Sequence, residues 1–172
     1  MHLFVVGANG FVGSHICREL IRAGHRITGF SQKMSVDLLG DITARMTFIE
    51  GSVENSAEVS AAIEMSKPDV VIWSAGHNAN GAGLAATGEK EGARSIAVNA
   101  GGLFNLLQTA HTQGVKRAVV TGSTVVFGPA SMYTDAPIDE SAPIHPTTAY
   151  GLSKAMGEQV AQYFRDRYAM DI

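Results

Sequence analysis

The chain has 172 residues, a mass of 18.1 kDa and a formal net charge of −3, from 13 Lys+Arg against 16 Asp+Glu. That length holds one domain with a sizeable core, and a composition 45% hydrophobic and 17% charged excludes a disordered chain. The balance of charge gives no footprint for nucleic acid or a membrane surface, and the single cysteine, Cys17, excludes an intramolecular disulfide.

The elements follow in order. Leu3 to Val6 is a short β-prone run, and Phe11, Ile16, Leu20 and Ile21 then recur at helical spacing before Gly24. Arg26 to Phe30 is the second strand and Met46 to Ile49 the third. A helix from about Glu54 to Ser66 is stopped by Pro68, and Asp69 to Trp73 is the fourth strand. The glycines and alanines of Gly76 to Gly92 predict a mobile loop, and Lys116 to Thr121 is the fifth strand, preceded by a helix ending at Gly114. Pro129, Pro137, Pro143 and Pro146 mark a long loop before the last helix. Continuous apolar strands alternating with helices predict a doubly wound α/β fold, a parallel sheet covered on both faces.

No apolar run approaches the roughly 20 residues of a membrane span. The first seven residues, Met1 to Gly7, lack the charged head and cleavage site of a secretory signal, so a soluble cytoplasmic protein is expected. The histidines show no ligand spacing, and His77, after the fourth strand, reads as a loop residue within reach of a ligand. The methionines read as core filler, and Lys90, Arg94, Arg165 and Arg167 as solvated faces.

The first strand runs into Gly7-Ala8-Asn9-Gly10-Phe11-Val12-Gly13 and then a helix. Gly7 lets the chain turn tightly, Gly10 lets the backbone approach a pyrophosphate, and Gly13 lets the helix pack closely on the strand. The amides near Phe11 and Val12 then face a phosphate along the helix dipole. Strand, loop and helix in that order point to a bound dinucleotide.

The Gly-x-x-Gly-x-x-Gly spacing, with four further motifs, resembles the extended short-chain dehydrogenase/reductase family, which includes the NAD-dependent epimerases and dehydratases of nucleotide sugars. Those motifs are Asp69–Gly76 with Ser74, Ala75 and Gly76 at its end, Asn99-Ala100-Gly101-Gly102, Thr121–Gly128 with Ser123, and Tyr150-Gly151-Leu152-Ser153-Lys154. The resemblance spans the whole chain and implies a Rossmann domain over residues 1–172, with a small-molecule substrate and a homodimer as expected partners, and neither nucleic acid nor membrane. It implies that Tyr150 is the general acid/base, that Lys154 lowers its pKa and holds the nicotinamide ribose, and that Ser123 orients the reacting oxygen. Asn99 organises the site, and the reaction is hydride transfer between a secondary alcohol or ketone and a nicotinamide. The competing reading is a non-catalytic dinucleotide-binding module.

The sequence departs from the family in three places. The second strand ends Ser31-Gln32-Lys33, with no acid to accept from the ribose hydroxyls and repel a 2′-phosphate, so NADP is expected slightly ahead of NAD. Ser52, beside Val53, stands where the family often has an aspartate near adenine. Finally, the sequence stops at Ile172, before the family's sixth strand and substrate-binding region, so a truncation and an unpaired edge at the fifth strand are expected.

Overall fold

A computed structural model describes residues 1–35, 37–78, 83–134 and 137–172. Five parallel strands form one sheet in the order β3-β2-β1-β4-β5, where β1 is His2–Val6, β2 Arg26–Ser31, β3 Thr47–Glu50, β4 Val70–Trp73 and β5 Arg117–Val120. The direction of winding reverses between β1 and β4, which opens a crevice at the carboxyl ends of those two strands.

Alternation along β1 divides the core between the two faces of the sheet. Phe4 and Val6 join Phe30, Val71, Trp73, Leu106, Leu107 and Phe164 on one face. Leu3 and Val5 join Cys17, Ile21, Ile27, Leu39 and Ile72 on the other. The second face is covered by helix α1, Phe11–Arg22, and by the β2–β3 connection, which the ion pair of Arg18 and Asp41 (2.7 Å) ties down. On the first face lie α2 (Ser56–Ser66), α5 (Leu103–Thr112) and α6 (Ala149–Tyr168). Asn55 caps α2 by accepting from the Ala57 and Glu58 amides, and Lys67 in the left-handed region ends it before Pro68. Trp73 fills the core at 1% exposure.

Several sequence expectations need correcting. The predicted mobile loop holds two short helices, α3 (Leu84–Lys90) and α4 (Gly92–Ile96), while its residues 79–82 lie outside those described. Its small residues serve packing: a Cβ at Gly88 would stand 2.8 Å from the Tyr150 Cβ, and one at Gly92 3.2 Å from that of Ala149. The long proline loop is likewise pinned, with the Tyr133 hydroxyl 2.7 Å from the Phe127 carbonyl and 2.6 Å from that of Pro143. Phe11, the first residue of the helical spacing in α1, is 71% exposed, unlike the buried Ile21. The methionines are core filler only in part: Met170 is buried and Met46 packs against the core, whereas Met1, Met65, Met132 and Met156 are exposed. The edge of β5 is partly covered: Asp171 forms a parallel bridge to Arg117, and its carbonyl accepts the Ala118 amide at 2.8 Å. No helix among the described residues is long and apolar enough to cross a membrane.

Candidate active site

The crevice at the reversal point is a cleft of about 860 Å³. Its floor is the glycine loop. Gly7 turns in the left-handed region at φ +79, and a Cβ there would lie 2.7 Å from the Ala75 backbone. A Cβ on Gly13 would lie 2.1 Å from the Gly7 carbonyl oxygen, so glycine at 13 lets α1 sit directly against the loop. Gly10 is exposed and its Cβ would meet the Gly7 oxygen alone, at 3.2 Å, so its lack of a side chain keeps the cleft open. Helix α1 starts with no side-chain cap and no acidic residue in its first turn. Its leading amides therefore face the cleft beside the exposed Phe11 and Val12, the arrangement that binds an anion.

One end of the cleft is formed by Phe30, Ser31, Gln32 and Lys33 from the end of β2 and its turn, with Gly51 and Val53 from the segment just after β3. Asn9 donates to the Lys33 carbonyl at 2.6 Å and so locks the glycine loop to the β2 turn. The Ser31 hydroxyl is buried and has no hydrogen-bond partner among the described residues. Ser52 does not line the cleft. Its amide donates to Glu58 Oε2 at 2.7 Å and its hydroxyl accepts the Glu54 amide, so it completes the cap of α2 instead.

At the other end, Ser74, Ala75, Gly76 and His77 meet Thr121, Gly122, Tyr150 and Lys154. Thr148 caps α6 by accepting the Gly151 amide at 3.0 Å, and Glu89 accepts the Ala149 amide, which fixes where the first turn carrying Tyr150 begins. Tyr150 and Lys154, one turn apart, are 9% and 8% exposed. Ser123 is half-buried just beyond β5, outside the cleft lining, with its side chain near that of Tyr150. Burial raises the Tyr150 phenol above its ordinary value, and the neighbouring Ser123 side chain offsets part of that rise. Lys154 Nζ, one helical turn on, donates to the Thr121 carbonyl. Burial depresses the Lys154 ammonium, and the Glu158 carboxylate works against that.

Asn99 lies behind the site in a π-helical stretch, Ala97–Gly102, between α4 and α5. Its carbonyl oxygen accepts the His77 amide at 3.0 Å and its amide donates to the Ser153 hydroxyl at 2.9 Å, which in turn donates to the Tyr150 carbonyl at 2.7 Å. One buried chain of hydrogen bonds thus joins the end of β4 to the turn of α6 that carries Tyr150. A π-turn at a functional position is a recurrent device.

Sequence reasoning missed several cleft residues. Asn9 was legible as the polar member of the glycine loop, whereas Glu91 and Arg94 are brought in only by the fold. His77 Nε2 lies 2.7 Å from Glu91 Oε2. Arg94, read as a solvated face, lines the cleft and pairs with Glu54 at 3.6 Å. No group of His, Cys, Asp and Glu among the described residues is arranged to hold a metal.

The comparisons agree with this geometry. The UDP-glucose 4-epimerase of Bacillus subtilis is 29% identical over 99% of this chain, and that of Lactobacillus helveticus is 28% identical over 93%. The chain spans about half of their length, 49% and 46%. Among solved structures, the Bordetella bronchiseptica enzyme WbmG in complex with NAD matches with a TM-score of 0.79 at 27% identity, over 94% of this chain and 49% of that one. The fold of the Thermotoga maritima UDP-glucose 4-epimerase, solved with UDP-glucose, matches with a TM-score of 0.87 at 24% identity, over 99% of this chain and 53% of that one. Residues 3–172 match the NAD dependent epimerase/dehydratase family along their whole length, and the chain belongs to that family.

Proposed function

We propose that residues 1–172 form a single dinucleotide-binding domain of an NAD-dependent enzyme that epimerises or dehydrates a nucleotide sugar. The observation that carries this reading is the cleft itself, where an uncapped helix N-terminus over a glycine cradle shares one cavity with Tyr150 and Lys154. The residues fit the cofactor. Side chains at Gly7 or Gly13 would collide with the backbone that shapes the cradle, and the Ser31 hydroxyl offers an unused hydrogen-bonding group at one end. The leaning towards NADP drawn from Ser31 to Lys33 is not carried forward, because the related structures hold NAD.

In this reading the amides of Phe11 and Val12 hold the pyrophosphate, Ser31 and Gln32 bind the adenosine ribose, and Ala75 and Gly76 line the path to the nicotinamide. When bound, NAD supplies the acceptor for the hydride leaving a substrate hydroxyl carbon. Tyr150 takes the hydroxyl proton and Ser123 donates to the reacting oxygen. A phenol raised by burial is a poor base at neutral pH, so positive charge near it must stabilise the phenolate. Lys154, one helical turn away, is placed to supply that charge when its ammonium turns from the Thr121 carbonyl towards the site. Asn99 holds both walls in register.

The names of the relatives make UDP-hexoses the first substrates to test. The full-length protein with NAD should interconvert UDP-glucose and UDP-galactose, or release a keto sugar if it is a dehydratase. A protein that binds NAD but converts no UDP- or dTDP-hexose would overturn the catalytic part of this reading.

A further inference from the structure

The second strand ends without the acid that accepts from the adenosine ribose in dinucleotide sites of this kind, yet a carboxylate stands beside that position. We propose that Glu50, at the end of β3, supplies it, and that Glu50 makes the site select NAD over NADP. The proposal rests on the reading of the cleft as a dinucleotide site.

Three observations carry it. First, Glu50 is the register partner of Ser31, and paired residues of neighbouring strands present their side chains to the same face. Glu50 is exposed and outside the cleft lining itself, but it occupies the position adjacent to the cleft-lining Ser31 on the same face of the sheet. Second, Glu50 Oε1 accepts the Met34 amide at 2.8 Å, which anchors the carboxylate over the turn that carries Gln32 and Lys33. That turn is itself held to the glycine loop by Asn9, so the carboxylate keeps a fixed relation to the phosphate cradle. Third, the buried Ser31 hydroxyl has no partner among the described residues. A ribose hydroxyl would satisfy it, with Glu50 Oε2 as the neighbouring acceptor.

Two strands would then divide a task that one acidic residue performs elsewhere. Asp37, the other nearby acid, accepts from Ser35 Oγ at 2.9 Å within its own turn. A carboxylate fixed beside the ribose repels a 2′-phosphate and offsets the attraction of Lys33, which explains NAD binding without an acid on β2.

The test compares NAD and NADP affinities, by calorimetry on the full chain, in the wild type, Glu50→Gln and Glu50→Lys. Glutamine keeps an oxygen for the Met34 amide and removes only the charge. The wild type should prefer NAD by at least about tenfold, ~1.4 kcal/mol. Glu50→Gln should narrow that preference, and Glu50→Lys should reverse it. A merely structural role would weaken both dinucleotides together and leave their ratio unchanged, which would overturn the proposal. Equal wild-type affinity for NAD and NADP would also overturn it, while leaving the dinucleotide reading intact. A wild type that binds neither would remove that reading and the proposal with it.

Discussion

Gly13→Ala separates the steric account of the glycine loop from ordinary helix propensity, because the two predict opposite signs. Gly13 lies inside α1, where alanine is normally more favourable than glycine by up to about 1 kcal/mol. Here the added Cβ would fall 2.1 Å from the Gly7 carbonyl oxygen, 2.8 Å from the Gly7 carbonyl carbon and 2.8 Å from Ser74 Oγ. Relief requires a shift of an ångström or so in backbone that is already committed. The Gly7 oxygen accepts the Gly10 amide at 3.0 Å, and Ser74 Oγ donates to the Val6 carbonyl at 2.7 Å. Overpacking of this kind costs about 1–3 kcal/mol, and the hydrogen bond lost as the loop opens adds about 1 kcal/mol. For a domain of this size each kcal/mol lowers Tm by roughly 2–4 °C, so a fall of about 4–16 °C is expected in a calorimetric melt. Gly24→Ala is the control: φ is +80 but the Cβ would meet nothing within 4 Å, so only the left-handed backbone cost of roughly 1–2 kcal/mol applies. A Gly13→Ala protein as stable as the wild type, or more so, would refute the steric reasoning.

Further outcomes follow from the site and the core. On the proposed function, Tyr150→Phe should retain NAD binding and lose about 10²–10⁴-fold in turnover, measured on whichever nucleotide sugar the wild type converts. Lys154→Met should lose both turnover and NAD affinity, and steady-state kinetics with a calorimetric Kd distinguish the two variants. Stability should fall as pH drops through the histidine range, because the buried His2, bonded through Nε2 to Thr28 at 2.8 Å, has a pKa lowered below its ordinary 6.5 mainly by burial. Below that value the unfolded chain binds a proton that the folded chain resists, so stability rises with pH there and levels off above it. His2→Gln should flatten the dependence, and melts between about pH 5 and 8 that are identical in both proteins would contradict the assignment.

The parts of the site that were legible in the sequence are those fixed by local geometry. Gly7, Gly10 and Gly13 announce a cradle because their roles depend on backbone sterics within one turn, and Tyr150 and Lys154 share a helix face by spacing alone. What depends on contacts between distant segments was hidden. Glu50 becomes relevant through the register of β3 on β2, and Arg94 through the packing that carries α4 to the cleft. The one glycine of α3, Gly88, looks like a loop residue until it is seen against Tyr150, where a larger residue would not fit. The π-turn at Asn99 has no local signature either, since Ala97–Gly102 has the composition of an ordinary helix interrupted by glycine. The bridge at Asp171 was missed because a single residue pair leaves no periodicity to read.

The central claim is that the cleft above Gly10 holds a dinucleotide, and a calorimetric titration of NAD into the wild-type chain and its Gly10→Val variant tests it most directly. A Cβ at position 10 would meet the Gly7 oxygen alone, at 3.2 Å, a tight contact relieved by a shift of a few tenths of an ångström, while the rest of a valine side chain enters the cleft where the phosphates would lie. The account predicts saturable binding of one NAD per chain in the wild type, and none in a Gly10→Val protein whose melt shows it to be folded. No binding to the wild type, or unchanged affinity in the folded variant, would contradict it.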